Sequence, residues 1–302
     1  MPETERVLTA GEWTARVSAF GASLRGATFR GETVVTGYVG RENKQGGQGD
    51  VLIPFPGRIG GGTYVWDDQR YALERNDKDG PNAIHGFFRS VEWDEVDVQE
   101  SQITYAVAID GVKGYPFPLL AAICYRLDAE TGLTCEFGIT NAGDTDAPVA
   151  AGFHPYFTVG SELVDGDELE LPFASVLEME NFIPTGKVLS CAEAGLDFYS
   201  PRKIGQTVFN HCFLNPEPDG DGKAGVLLRN STRTVRVWMD RSFPFVVIYT
   251  GENLPEDLRR RSLAIEPMTC GSDAFNHPEW GLVRLKPGEQ FAGSWGVSAR
   301  PR

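Results

Sequence analysis

A two-residue alternation of apolar and polar side chains constrains the fold of this chain more than any other feature. Between residues 103 and 109, and again between 133 and 139, every second side chain is apolar and its neighbours are polar or small. This alternation gives a strand one packed face and one wet or groove-lining face, which is typical of antiparallel sheets. No segment has a long 3.6-residue periodicity, and no repeat or low-complexity linker divides the chain. We therefore predict an all-β protein, with residues 1–302 forming one large antiparallel domain.

Charge and cysteine usage limit the possible partners. The formal net charge of -14 argues against nucleic acid and anionic membrane surfaces as partners. No apolar run approaches the roughly 20 residues that span a bilayer, and the charged stretch of residues 1–6 lacks the apolar core of a signal peptide. The five cysteines are scattered, with no Cys-x-x-Cys pair. We expect reduced thiols in a cytoplasmic protein, with no disulfide framework and no zinc site.

His154 lies in an apolar and aromatic run, residues 150–157, directly before Pro155. Because proline favours extended geometry in the preceding residue and interrupts a strand ladder, we expect His154 at a strand end or edge. Desolvation by the neighbouring aromatic rings would lower the imidazole pKa unless a carboxylate partners it. Such a histidine suits general acid or base catalysis near neutral pH. The alternative is a core histidine that is hydrogen-bonded to a backbone carbonyl.

Glu266 closes an apolar strand that begins at residue 263, and we expect Pro267 to end that strand directly after it. A carboxylate that follows three apolar residues is not expected to be freely solvated. Burial would raise its pKa toward the range of a general base. The structural alternative is a salt bridge to one of the arginines at positions 259–261.

Arg58 and His85 are two further candidates. Arg58 begins a glycine-rich stretch, residues 58–62, but no Gly-Lys-Ser/Thr follows, so this is not a nucleotide phosphate loop. A guanidinium held there can bind a sugar hydroxyl pair or an anion, although a solvated surface arginine is about as consistent with the sequence. His85 and His154 lie in no metal-ligand spacing, so we interpret both as hydrogen-bonding or proton-transfer groups. The polar loop of residues 41–50 is expected to be a plain connector that could also close over a pocket.

Four of these stretches occur in an order that resembles the aldose 1-epimerase (galactose mutarotase) family. They are the glycine–Arg58 loop, residues 82–86, residues 154–157, and residues 265–276. The resemblance covers nearly the whole chain. It implies a large β-supersandwich that interconverts the α and β anomers of a free monosaccharide with no metal or cofactor, and we expect a monomer or homodimer.

The resemblance also implies roles for single residues. His154 resembles the general acid of the family and Glu266 its general base, while Arg58 and His85 match substrate-orienting positions. Asn210 stands where many members have an aspartate that holds sugar hydroxyls. Val247 stands where a glutamine is common. These two departures leave specificity for galactose or glucose open.

Other functions remain open at this point. A non-catalytic carbohydrate-binding β-sandwich is the alternative from another class, although it would not need both His154 and Glu266. A mutarotase for an anionic hexose, 6-sulfo or 6-phospho, is another. The sequence of residues 266–270 resembles the branch of the family that is linked to sulfoquinovose metabolism. A phosphate would need several converging arginines, and the sequence places only Arg58.

Overall fold

The computed structural model describes residues 5–302, and it confirms the all-β fold. The first thirteen strands are β1 (Glu5–Ala10), β2 (Trp13–Ser18), β3 (Ser23–Phe29), β4 (Glu32–Thr36), β5 (Val51–Leu52), β6 (Arg58–Ile59), β7 (Thr63–Trp66), β8 (Gln69–Ala72), β9 (Ala83–Ile84), β10 (Asp94–Val98), β11 (Gln102–Ile109), β12 (Leu119–Asp128) and β13 (Gly132–Asn141).

The remaining strands are β14 (Ala147–Val149), β15 (Gly152–Phe153), β16 (Tyr156–Phe157), β17 (Glu168–Glu170), β18 (Phe173–Glu180), β19 (Ile183–Ser190), β20 (Arg202–Lys203), β21 (Asn210–Pro216), β22 (Ala224–Arg229), β23 (Arg233–Met239), β24 (Phe245–Tyr249), β25 (Leu263–Met268), β26 (Val283–Leu285) and β27 (Gln290–Pro301). The helical segments of the described chain are short 3-10 turns at Arg41–Asn43, Gly60–Gly62, Phe88–Ser90, Val164–Gly166 and Pro278–Trp280. Within residues 5–302, no helix has the length and hydropathy for a membrane crossing.

Two large antiparallel sheets contain most of these strands. The twelve-stranded sheet has the order β1-β2-β3-β4-β16-β25-β24-β21-β18-β19, with β15 and β5 joined to it beside β25. The nine-stranded sheet has the order β10-β11-β12-β13-β27-β23-β22-β17-β20. The other strands of the described chain form three two-stranded ribbons, β14-β26, β6-β9 and β7-β8. Because the central strands β16 and β25 come from distant parts of the sequence, the fold brings distant motifs together.

The alternation of side chains divides the twelve-stranded sheet into a core face and a cavity face. Ile248 and Ile265 point into the main core, where they join residues of the nine-stranded sheet such as Val237. Val247 precedes Ile248 in β24, and Glu266 follows Ile265 in β25. These two residues are direct partners across the two strands. Directly opposed residues in antiparallel strands project to the same face. Glu266 therefore leaves the core side of the sheet and points into a cavity.

The structure corrects the expectation that Pro267 ends the Glu266 strand. Strand β25 continues through Pro267, which is paired with Val246. Along this strand the N–H groups of Ile265 and Thr269 point to the His154 segment, where they donate to backbone carbonyl groups. By the two-residue period of a strand, the missing N–H of Pro267 would point the same way, into the gap between β15 and β16. Proline is tolerated there because no ladder hydrogen bond is lost.

The segment from residue 163 to residue 202 is more regular than its sequence indicates. It contains two eight-residue strands, β18 and β19, which form one edge of the twelve-stranded sheet. Their outer face is exposed, so apolar residues are too sparse for the alternation to be visible in the sequence.

Candidate active site

One cavity of about 500 Å³ receives every residue that the sequence marks as a candidate for function. Its lining includes Arg58, His85, His154, Asn210 and Glu266. His154, Asn210 and Glu266 meet because β15, β16 and β21 lie near β25 in the twelve-stranded sheet. Arg58 lies in the β6-β9 ribbon and His85 directly follows it; this ribbon is bound to the segment after β25 because the Asp273 N–H donates to the Arg58 carbonyl. The volume falls within the range of small-molecule sites in proteins.

His154 and Glu266 form the innermost pair. His154 lies between the two short strands β15 and β16, and its Nε2 is 3.5 Å from Oε1 of Glu266. This separation is longer than an ordinary N–H···O hydrogen bond. The His154 ring stacks on Tyr156, with 5.1 Å between centroids and 18° between planes. Its Nδ1 has no hydrogen-bond partner within residues 5–302. Packing therefore orients this imidazole more than hydrogen bonding does.

Burial moves the pKa values of this pair in opposite directions. Desolvation lowers the pKa of His154 to about 3, against the opposing effect of the residue's own backbone, and the nearby cations Arg89 and Lys44 add to the lowering. Desolvation raises the pKa of Glu266 well above 4.5, against the opposing effect of Arg58. Both shifts favour uncharged groups. Burial therefore favours the arrangement in which the carboxyl group of Glu266 is protonated and the imidazole of His154 is neutral.

The structural alternative for Glu266, a salt bridge to an arginine at positions 259–261, is wrong. Arg260 is instead bound to Asp165 and Glu252, at 2.7 Å each. Arg261 lies 3.7 Å from Glu162. Glu266 faces His154.

Arg58 is rigidly held at the cavity wall. Its Nε donates to Asp77 at 2.8 Å, and its Nη2 lies 3.6 Å from Asp79. The guanidinium carbon lies 4.6 Å from the ring centroid of Phe182, in a cation–π contact. An arginine clamped in this way offers its remaining N–H groups in a fixed direction. The freely solvated alternative for Arg58 is therefore wrong.

Two other histidines are neutral donors with fixed tautomers. Nδ1 of His85 accepts the Gly57 N–H at 3.2 Å, and Nδ1 of His211 accepts the Asn210 N–H at 3.1 Å. Burial lowers the pKa of both rings, and for His85 the neighbouring His154 adds to the effect. Since Nδ1 accepts a hydrogen bond, Nε2 of each neutral ring carries the proton. Both residues also line the cavity, so they can donate to sugar oxygen atoms.

The two positions that depart from the family pattern lie on neighbouring strands of the cavity face. Val247 is paired with Cys212 on one side and with Glu266 on the other. Asn210 is paired with Tyr249, two residues along β24 from Val247. Together they place an uncharged amide and an apolar side chain near the carboxyl group of Glu266.

The polar loop of residues 41–50 lines the cavity, so it is more than a connector. The Tyr156 hydroxyl donates to the Gly46 carbonyl at 2.7 Å, which ties the loop to the ring beneath His154. Gly47 has a φ of +73°, and a Cβ there would lie 2.8 Å from Cδ2 of His154. Glycine at this position lets the backbone approach the imidazole. The cluster of glycines in the loop is the sequence feature that could have indicated this close approach of the loop to His154.

Two cations at this end of the cavity were not recognisable from the sequence. Lys44 and Arg89 line it, and both bind the buried carboxylate of Asp50. Arg58 is therefore not the only well-placed basic residue, as the sequence had indicated. Neither side chain belongs to a recognisable motif.

No group of three or more His, Cys, Asp or Glu side chains in residues 5–302 is arranged to hold a metal ion. Independence from metals and cofactors stays a prediction.

Comparison with known proteins places this geometry in a family. The family model described as aldose 1-epimerase matches residues 6–297. The protein YihR of Escherichia coli K12 is 30% identical over 269 residues, which are 89% of this chain and 85% of that protein. Galactose mutarotase of Bos taurus is 29% identical over 305 residues, covering 92% of this chain and 86% of that one.

Solved structures agree on the fold. A GalM/aldose epimerase homologue from C. elegans superposes with a TM-score of 0.89 at 20% identity, and 99% of each chain is covered. Galactose 1-epimerase from Lactobacillus acidophilus gives a TM-score of 0.82 at 18% identity, covering 99% of this chain and 95% of that one. At such identities the structures establish only the shared β-supersandwich, whereas the match over residues 6–297 establishes the relationship. The chain belongs to the aldose 1-epimerase family, and it is an isomerase that interconverts sugar anomers.

Proposed function

We propose that this enzyme opens and recloses the ring of a free aldose by proton exchange with His154 and Glu266. The observation that carries the proposal is the 3.5 Å separation of His154 Nε2 and Glu266 Oε1 inside the cavity. One sugar ring can reach both groups, because its C1 hydroxyl and its ring oxygen are attached to the same carbon.

The two protonation states of the pair correspond to the two halves of the reaction. With Glu266 ionised and His154 protonated, the carboxylate takes the proton of the C1 hydroxyl while the imidazolium protonates the ring oxygen. The C1–ring oxygen bond breaks, and an open-chain aldehyde faces a neutral carboxyl group and a neutral imidazole. After rotation about C1–C2, His154 takes the hydroxyl proton, Glu266 protonates the carbonyl oxygen, and the ring closes on the other face. The pair returns to its starting state with all protons balanced.

The environment of the cavity stabilises the second of these states, because burial favours the neutral pair. The ionised pair must therefore gain stabilisation from the bound sugar and from Arg58, whose charge lowers the pKa of Glu266. In this proposal Arg58, His85 and Asn210 bind sugar hydroxyls, and so they orient the ring. The fixed Nε2–H donor of His85 suits this role.

A non-catalytic carbohydrate-binding sandwich is the competing function. Such a protein would need hydrogen-bonding groups for the sugar hydroxyls, but it would not need a carboxyl group and an imidazole that can exchange protons with the same sugar ring. The unpartnered Nδ1 of His154 and the long contact with Glu266 are better suited to a site that exchanges protons.

A second candidate substrate is a hexose with an anionic group at C6, either a sulfonate or a phosphate. The neutral Asn210 would not repel an anion as an aspartate would. Lys44 and Arg89 at the cavity wall add positive charge.

Anomer exchange measured by NMR tests the proposal directly. The sugars are glucose, galactose, and 6-phosphorylated and 6-sulfonated hexoses, each with and without the enzyme. We expect enzyme-dependent exchange for at least one of them. Binding of these sugars without accelerated exchange of any would favour the binding module.

We also propose that residues 1–302 act as one domain, as a monomer or homodimer in the cytoplasm. A single buried cluster contains residues of both large sheets, which supports one domain. All five cysteines are free thiols, which supports a reducing compartment.

A further inference from the structure

Asp79 is a cavity-lining carboxylate that the mechanism above does not use. It lies in the loop between β8 and β9, and its side chain is 44% exposed. Within residues 5–302 this side chain accepts no hydrogen bond, and Nη2 of Arg58 lies 3.6 Å from its Oδ2. This separation is longer than an ordinary hydrogen bond, so both groups keep the capacity to bind a ligand.

Arg58 contacts its two carboxylates in different ways. Asp77 is 2% exposed, and it accepts Nε of Arg58 at 2.8 Å and Nη2 at 3.4 Å. It also accepts the Asn82 side chain at 2.9 Å and the Asp79 N–H at 3.1 Å. The hydrogen-bonding capacity of Asp77 is therefore used in holding Arg58 and the loop. The carboxylate of Asp79, by contrast, is open to the cavity.

Hydrogen bonds within the loop fix the backbone of Asp79 relative to Arg58. The Asp77 N–H donates to the Asn82 carbonyl, and the Gly61 N–H donates to Oδ1 of Asn82, both at 3.2 Å. Because the Asp79 N–H is itself bound to the carboxylate of Asp77, the loop is closed on both sides of Asp79. A ligand would therefore have to immobilise only the Asp79 side chain, which limits the entropic cost of binding.

The other groups proposed to bind the sugar are mainly hydrogen-bond donors. Arg58 has no acceptor atom, and the neutral ring of His85 uses its acceptor, Nδ1, for the Gly57 N–H. The amide of Asn210 can accept, but each sugar hydroxyl has a proton to donate. A desolvated hydroxyl without an acceptor lowers affinity. Asp79 is a carboxylate at the cavity wall that can supply a further acceptor.

Asp79 also lies near the reaction site. Burial raises the pKa of Tyr249 against the opposing hydrogen bond from the Asn253 N–H, and the charges of Asp79 and Glu266 both add to the increase. Both carboxylates therefore lie near the Tyr249 ring, which also lines the cavity. A sugar with its C1 at Glu266 can thus reach Asp79 with a hydroxyl on another carbon.

We propose that Asp79 is a substrate-binding residue, and that it acts with Arg58 on one sugar hydroxyl at a carbon other than C1. Arg58 donates an N–H to the hydroxyl oxygen, and Asp79 accepts the hydroxyl proton. This inference rests on the proposed function, since His154 and Glu266 are assigned to the C1 hydroxyl and the ring oxygen. A sugar that lacks the hydroxyl at that carbon should bind less tightly.

Binding of neutral methyl glycosides to the full chain tests this contact separately from catalysis, because a blocked C1 cannot mutarotate. Ligand-detected NMR titration gives the Kd of methyl glucoside, of methyl galactoside, and of the 2-, 3-, 4- and 6-deoxy forms of each. D79N keeps the size of the side chain but removes its charge, and it should weaken the tighter-binding parent glycoside roughly 3- to 10-fold. D79A removes the acceptor altogether, and it should weaken that glycoside roughly 10- to 100-fold.

The deoxy sugars identify the hydroxyl that Asp79 binds. Loss of that hydroxyl should weaken binding to wild type roughly 10-fold or more, since a hydrogen bond to a charged group is lost. The same loss should have little effect on D79A, because the partner is already absent. Loss of any hydroxyl that Asp79 does not contact should affect wild type and D79A equally.

D67N is the matched control, because Asp67 is an exposed carboxylate paired with Arg284 outside the cavity. It should leave every Kd as in wild type. The contact is overturned if D79A binds the parent glycoside as tightly as wild type, or if D67N loses as much affinity as D79N. It is also overturned if every deoxygenation affects wild type and D79A equally, or if wild type binds neither parent glycoside. Exchange of free sugars could still occur in those cases, whereas absence of all exchange with an intact Asp79-dependent affinity would overturn only the proposed function.

Discussion

Two charged clusters of this molecule differ in how fully their hydrogen bonds are satisfied. Arg260 donates to Asp165 and to Glu252 at 2.7 Å each, and also to the carbonyl groups of Thr207 and Gly205. His154 and Glu266 are more deeply buried, yet their closest contact is 3.5 Å and Nδ1 of His154 has no partner in the described chain.

The difference separates a structural cluster from a reactive one. The donors of Arg260 are used by groups that join loops near residues 165, 205 and 252, so little capacity remains for a ligand. The His154–Glu266 pair can still form hydrogen bonds to a ligand, and burial favours its uncharged state. Groups left incompletely bonded inside a protein lower its stability, and they are retained where a ligand or a proton completes them.

The largest effect is expected when the reactive pair is removed. Glu266→Gln and His154→Gln preserve approximate size and hydrogen bonding but cannot exchange a proton in the same way. Each should lower turnover by roughly 10²–10⁴-fold, while sugar binding persists through Arg58 and His85. The double variant should lose far less than the product of the two single losses, because acid and base act as one unit. NMR exchange rates of the three variants decide this, and multiplicative losses would contradict the shared-proton mechanism.

Disruption of the fully hydrogen-bonded Arg260 cluster should lower the stability of the protein and not its turnover. Arg260→Met leaves two carboxylates unpaired, and we expect the free energy of unfolding to fall by about 2 kcal/mol. This is less than the roughly 3–5 kcal/mol for a fully buried pair, because Asp165 and Glu252 are 25% and 31% exposed. Urea unfolding measures the change. Arg126→Met is the matched control, since its exposed pair with Glu136 should contribute less than about 1 kcal/mol. A similar loss in both variants would remove the distinction.

The pH dependence of stability should differ between wild type and Glu266→Gln. Burial raises the pKa of Glu266 above 4.5, so the folded state keeps this proton longer than the unfolded state. Its contribution is complete below pH 4.5 and is lost as the pH rises through the folded-state pKa. Glu266→Gln does not titrate there, so its stability relative to wild type should increase as the pH rises above 4.5.

The stability of the same proteins at acidic pH serves as the control. The pKa of His154 is lowered from 6.5 to about 3. The stability associated with neutral His154 is therefore present above pH 6.5 and is lost as the pH falls toward 3. His154→Gln should reduce this decline, and Glu266→Gln should retain it. Parallel urea-unfolding profiles for all three proteins above pH 5 would show that the pair is not buried as the geometry indicates.

The smallest effect is expected for sugar binding when Asn210, near the His154–Glu266 pair, is replaced. Asn210→Asp introduces a negative charge at the cavity, and it should weaken an anionic sugar more than a neutral one by about 1 kcal/mol for a partly solvated pair. Calorimetry with neutral and sulfonated methyl glycosides measures the difference. Asn210→Ser, which adds no charge, should affect both sugars equally. Equal effects of the aspartate on both sugars would exclude the electrostatic explanation.

Much of the site could be predicted from the sequence because its chemistry resides in short motifs. His154 before a proline and Glu266 after an apolar run are unusual enough in context to be recognised. The order of the stretches added Arg58 and His85, and the comparison with the family pattern added Asn210; all five residues line one cavity. Their catalytic and binding roles stay predictions.

The sequence by itself determined the fold class, since a two-residue period excludes long helices and requires sheets with a buried face. Only the tertiary structure showed that Lys44 and Arg89 converge on Asp50, that Arg260 pairs away from Glu266, and that β25 continues through Pro267. The physical reason is the same in each case. Strand patterning is a local property of the chain, whereas the partner of a charged or hydrogen-bonding group depends on which distant strands become neighbours in the sheet.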